Sequence, residues 1–181
     1  MEKDRVNDMK VTIGNICYPK SEAMVIPANT KGIMSRGIAS RVVKSGLSGI
    51  SKEVKEYITN NNVEEGDCFS TGPGRLNRRK VKRIYHSVIK RLQSDFSSIY
   101  LINKALNKVL QLVVDDGCES VAVCGLGIED GNLDTKTIAR ITVEICNRYD
   151  NRIKISIIDD NKEFIKEVSS FVKELNNVGT E

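Results

Sequence analysis

Ser120-Val121-Ala122-Val123-Cys124-Gly125-Leu126-Gly127-Ile128-Glu129-Asp130-Gly131 joins a short apolar run to a helical pattern from Asp134 to Cys146. An apolar run, a glycine-rich break and then 3.6-residue periodicity read as buried strand, loop and amphipathic helix, the unit of a layered α/β fold. Glycines in such a loop let backbone N–H groups approach a phosphate without side-chain obstruction. Turn geometry alone produces the same composition, so the loop by itself leaves both readings open. It does not fit a dinucleotide-binding fingerprint, because G-x-G-x-x-G opens its helix directly. Here the helix waits until Asp134, and about fifty residues follow the loop, too few for the rest of such a sheet.

The same alternation continues in both directions. Lys10 to Ile13, Ala23 to Ile26 (ending at Pro27), Cys68 to Ser70, Arg83 to Ile89 and Lys154 to Ile158 are further strand candidates. Ile38 to Lys44, Ser51 to Asn60 with Ser51 as N-cap, Ser97 to Val114 and Asn161 to Leu175 are helix candidates. The clearest is Ser97 to Val114, where Ile102, Ala105, Leu106, Val109 and Val113 recur every three or four residues. A chain of 181 residues with this pattern is expected to form one three-layer α/β/α domain over 1–181, with a mixed central sheet, a short extension at 1–8 and a frayed tail at 176–181.

Composition narrows the chemistry. No apolar run approaches the ~18 residues of a membrane span, and Met1 to Arg5 lacks the apolar core of a secretory signal, so the expected address is the cytoplasm. Five scattered cysteines without a C-x-x-C pair, together with a single histidine, His86, read as reduced core thiols and exclude a structural zinc site. No metal or cofactor is expected. The formal charge of +4 suits an anionic ligand without identifying one.

Ligands of open α/β sheets sit beyond the C-terminal strand ends, so the loops leaving the strands are the segments to inspect. Besides Gly125 to Leu133 these are Gly14-Asn15-Ile16 and Pro27 to Ala39, which carries Asn29, Thr30, Lys31, Gly32, Ser35, Arg36 and Gly37. The Asn29 amide offers a donor and an acceptor to ribose hydroxyls, and equally well closes a turn of its own loop.

In order along the chain, Val11-Thr12-Ile13-Gly14-Asn15-Ile16, Met24-Val25-Ile26-Pro27-Ala28-Asn29, Met34-Ser35-Arg36-Gly37-Ile38-Ala39, Gly66, Thr71-Gly72-Pro73-Gly74, Arg83-Ile84-Tyr85-His86-Ser87-Val88 and Gly125-Leu126-Gly127-Ile128 resemble the macro domain. That family binds ADP-ribose and related metabolites, and some members hydrolyse ADP-ribosyl groups. The resemblance spans about Val11 to Leu175. It implies adenine facing Asn15, the distal ribose beside Asn29, and the diphosphate and ribose enclosed by Ser35, Arg36, Gly37, Ile38 and Ala39 with Gly125, Leu126, Gly127 and Ile128, with Ile16, Gly32 and Glu129 as further ligand-binding residues. Asn15 stands where the family usually has aspartate, which removes charge assistance from the adenine contact. Glu129 stands where an aromatic often packs on the ribose.

The pattern Met34-Ser35-Arg36-Gly37-Ile38-Ala39 resembles the branch that removes ADP-ribose from acidic side chains or DNA bases. There a lysine attacks the anomeric carbon and an acid handles protons. Carried over, this implies Lys44 with Glu129 or Asp130, and Asn29, as candidate catalytic residues; a solvent-facing lysine and a loop acid are the alternative. The substrate would be an ADP-ribosylated protein or nucleic acid, or ADP-ribose 1″-phosphate. His86 reads as structural. The cluster Arg75, Arg78, Arg79, Lys80, Lys82, Arg83, followed by Lys90 and Arg91, suits phosphates of RNA or poly(ADP-ribose), or else marks a charged hairpin or edge strand.

Overall fold

The computed structural model describes residues 8–47 and 49–178. Its strands are β1 (Lys10–Ile13), β2 (Ala23–Asn29), β3 (Cys68–Thr71), β4 (Arg83–Lys90), β5 (Ser120–Val123) and β6 (Lys154–Asp159). They form a mixed sheet in the order β1-β6-β5-β2-β4-β3, in which β3 alone runs antiparallel to its neighbour. Buried on both faces, the central strands show continuous burial rather than alternation, β4 enclosing the polar His86 and Ser87.

Helices α1 (Gly37–Gly46), α2 (Gly49–Asn60), α3 (Ile99–Asp115), α4 (Thr135–Tyr149) and α5 (Lys162–Val178) complete a three-layer α/β/α architecture. The periodic face of α3, from Ile102 through Val113, is fully buried, and the Ser98 hydroxyl caps it by accepting from Leu101 N at 3.2 Å. Asp134 caps α4, its carboxylate accepting from both the backbone N–H and the hydroxyl of Thr137. Val54 of α2 meets Phe69 and Val88 in a small second cluster beside the main core.

Four details depart from expectation. Helix α2 begins at Gly49, which puts Ser51 inside the first turn rather than at the cap. Strand β2 runs through Pro27 to Asn29, because beyond Val25 it pairs with β4 alone, and a half-paired strand tolerates a residue without N–H. The basic segment is neither hairpin nor edge strand but a 3₁₀ turn, Gly74–Arg79. Helix α5 extends to Val178, so Asn176 and Asn177 are helical; residues 1–7 and 179–181 of the expected terminal extensions lie outside the described residues.

Candidate functional site

Where β5 stops pairing with β2, the strand ends part and a cavity of about 320 Å³ opens. Its walls are Pro27, Ala28 and Asn29 from β2, Ile33, the α1 entry at Arg36, Gly37 and Ala39, Ile89 and Lys90 from β4, Gln93 to Phe96, and Gly125, Gly127, Glu129 and Asp130. Two of the loops singled out by sequence thus converge, joined by a third, Gln93 to Phe96, that sequence reasoning missed.

Asn29 is buried and its side chain is spent on its own loop. Its Oδ1 accepts from Lys31 N and Ile33 N, both at 3.1 Å, and its Nδ2 donates to Ile33 O at 2.9 Å. The amide therefore shapes the wall from Asn29 to Ile33 while bordering the cavity.

The opposite wall is set by Asp159 at the end of β6. Its carboxylate accepts from Gly125 N at 2.9 Å and from Asn161 N at 2.9 Å, fixing the glycine loop to the sheet. Burial raises the Asp159 pKa above the usual carboxylate value, against the pull of those two N–H groups. Gly127 turns the loop at φ +85°, and a β-carbon there would lie 2.7 Å from Ile102 Cδ1.

A lysine and a carboxylate meet inside the cavity. Lys90 Nζ donates to Asp130 Oδ1 at 2.6 Å, with the two side chains 14% and 7% exposed. Asp130 Oδ2 accepts from Ser97 N at 3.2 Å, and the Ser97 hydroxyl donates to Ile89 O. The strand register explains the placement: Ala28 pairs with Val88, but Asn29 pairs with Lys90, so β4 bulges at Ile89. Bulges of this kind re-aim the side chains beside them.

Glu129 occupies the other half of the loop. Its Oε2 accepts from Ile38 N at 3.1 Å, at the opening of α1, and its Oε1 lies 3.5 Å from Arg41 Nη2. Arg41 also pairs with Asp160.

The remaining candidates lie off the cavity lining. Asn15 Oδ1 accepts from Cys17 N at 2.9 Å, Ile16 and Leu126 belong to the core, and Ile128 packs against it. Gly32 turns against Val54 and Ile58, the Ser35 hydroxyl donates to Gln93 Oε1 at 2.8 Å, and Ile38 offers its N–H to Glu129. Lys44 is exposed in the last turn of α1 and does not line the cavity; the lysine beside an acid in the cavity lining is Lys90. Sequence reasoning assigned Lys90 to the basic cluster. The structure separates it from Arg83 by the length of β4, about 23 Å at ~3.3 Å per residue.

His86 is fully buried, stacked 4.8 Å from Phe69, with its Nε2 2.9 Å from the Thr71 hydroxyl. Burial depresses its pKa to about 3. Among the described residues no three His, Cys, Asp or Glu side chains gather as metal ligands, and no helix is long and apolar enough to cross a membrane.

The Macro domain family model matches residues 25–142, and the chain belongs to that family. An uncharacterized protein of Aquifex aeolicus is 26% identical over 161 residues, covering 88% of this chain and 94% of its own. The Oceanobacillus iheyensis macrodomain with ADP superposes with a TM-score of 0.82 at 14% identity, covering 96% of this chain and 95% of its own. Thermosipho africanus DarTG in complex with ADP-ribose gives 0.76 at 20% identity, over 92% of this chain and 46% of that one. At these identities the likeness to the solved structures is one of fold.

Proposed function

We propose that the cavity binds ADP-ribose and that the chain hydrolyses ADP-ribosyl groups from a macromolecule, with Lys90 and Asp130 as the reacting pair. The observation that carries this reading is the lysine–carboxylate contact in the cavity lining, with Lys90 beside Asn29 in the strand register. Membership of the Macro family and the ADP-ribose in the Thermosipho complex support the choice of ligand. The diphosphate would lie between the α1 entry and the loop from Gly125 to Gly127, where N–H groups and the positive helix end favour anions.

In this reading the distal ribose reaches Lys90. Asp130 takes a proton from the Lys90 ammonium, and the freed amine forms a bond to the anomeric carbon as the bond to the macromolecule breaks. Asp130 then delivers the proton to the departing oxygen or nitrogen, and water releases ADP-ribose from the lysine. Asn29 serves by holding the ribose wall in shape. Lys44 has no part in this scheme.

Calorimetric titration with ADP-ribose, with AMP and NAD as controls, tests the binding step. Incubation with mono-ADP-ribosylated protein or DNA, followed by assay of free ADP-ribose, tests turnover. Release by the wild type and none by Lys90→Ala or Asp130→Asn is expected. Indifference to millimolar ADP-ribose removes the whole reading; undiminished release by Lys90→Ala removes the mechanism.

A second reading places RNA or poly(ADP-ribose) on the far end of the sheet. There the turn Gly74–Arg79 and the residue after it expose Arg75, Arg78 and Lys80, and Arg79 lies 3.8 Å over the exposed Tyr18 ring, a surface suited to phosphates and a stacked base. Binding there should weaken steeply with added salt; a salt-independent or absent interaction dismisses it.

A further inference from the structure

We infer that Glu129 is a built-in competitor for the ligand's diphosphate, so that binding at this site is an exchange of one anion for another. The inference rests on the ADP-ribose reading above and adds to it how the site selects its ligand. Helix α1 opens without a side-chain cap of its own: its N-cap residue is Arg36, whose side chain caps no backbone N–H. The free N–H groups and the positive end of the helix therefore attract an anion from elsewhere in the fold. Glu129, 91 residues away in sequence, supplies it through the bond from Ile38 N.

The fit of the carboxylate at this place depends on Gly37. With φ at +57° and no side chain, Gly37 leaves room for the Glu129 head group, whose carboxyl carbon would lie 2.7 Å from any β-carbon built there. Arg41 adds a second hold on Glu129 while also engaging Asp160. The carboxylate thus covers the backbone N–H that a phosphate entering between α1 and the loop from Gly125 to Gly127 would need.

A second anion cannot share that donor, and the repulsion between a carboxylate and a diphosphate makes joint occupancy worse. The glutamate can nevertheless leave: its side chain is 40% exposed, so swinging it toward water exposes no core. Glu129 then acts as a selectivity residue that lowers affinity for any ligand whose phosphate must reach α1.

Titration calorimetry of the wild type, Glu129→Gln and Glu129→Ala against ADP-ribose and inorganic pyrophosphate tests this. The glutamine variant keeps an acceptor for Ile38 N and loses the charge; the alanine variant vacates the place. Both should bind ADP-ribose about tenfold more tightly than the wild type, the size expected for removing one charge-assisted competitor. A gain for ADP-ribose supports both this inference and the reading beneath it. A gain for pyrophosphate with no ADP-ribose binding by any of the three proteins keeps the competitor and discards ADP-ribose as the ligand. No gain for either ligand overturns the inference and leaves Glu129 as a plain helix cap, whose removal lowers the melting temperature without raising affinity.

Discussion

Replacing Lys90 by methionine probes whether the cavity is organised around a desolvated ion pair or a surface contact. Methionine keeps most of the apolar stem and leaves the Asp130 carboxylate, 7% exposed, holding the Ser97 N–H without its 2.6 Å cation. Stranding a buried charge in this way costs about 3–5 kcal/mol, and for a chain of this length that lowers Tm by roughly 6–20 °C. The double variant K90M/D130N removes the stranded charge, and the asparagine oxygen can still accept from Ser97. It should therefore recover about 2 kcal/mol or more of the single-variant loss. Urea denaturation of the four proteins in the cycle measures this coupling. A K90M loss below about 1 kcal/mol, or a double variant whose loss is the sum of the singles, would refute the buried-pair argument. ADP-ribose release should vanish in all three variants, including the most stable, which separates chemistry from folding.

Three further perturbations test the framework around the site. Because burial holds the His86 pKa near 3 instead of 6.5, the unfolded chain takes up a proton between those values that the folded chain refuses. Its contribution to stability is therefore complete above about pH 6.5 and falls as pH drops, by about 2 kcal/mol at pH 5. Denaturation across a pH series should show that slope, and His86→Gln should remove it; an unchanged slope assigns the acid sensitivity to other groups. Gly127→Ala forces a side chain into φ +85° and against Ile102, and should cost about 2–4 kcal/mol as well as ADP-ribose affinity; wild-type melting and binding would contradict the loop geometry. Asp134→Ala should cost about 1 kcal/mol by uncapping α4, read as a shift in the urea midpoint at constant slope.

The elements were legible wherever a pattern is local. Burial along α3 follows the three- and four-residue spacing because a helix packed on a sheet must bury one continuous stripe. Asp134 announces α4 because a cap bonds to a residue three positions away. The site was half legible for the same reason. Glycines and amides in the loops from Pro27 to Ala39 and from Gly125 to Leu133 mark chain turning sharply beside strand ends, and these loops do form walls of the cavity.

What escaped depends on partners far apart in sequence. Nothing around Glu129 says that it will cap a helix 91 residues earlier, and nothing around Arg36 says that α1 will borrow its cap. Lys90 was the harder case. In the sequence it ends an eight-residue stretch that begins with Arg83, and charge alone groups the two. An extended strand carries its ends to opposite sides of the sheet, so Arg83 belongs with the basic turn and Lys90 with the cavity. One skipped pairing at Ile89 then sets Lys90 beside Asp130. A basic residue at the C-terminal end of a buried parallel strand is therefore better read with the loops that leave the sheet than with its neighbours in composition. That end is where backbone pairing stops, water is partly excluded, and a charged side chain must find a partner or a ligand.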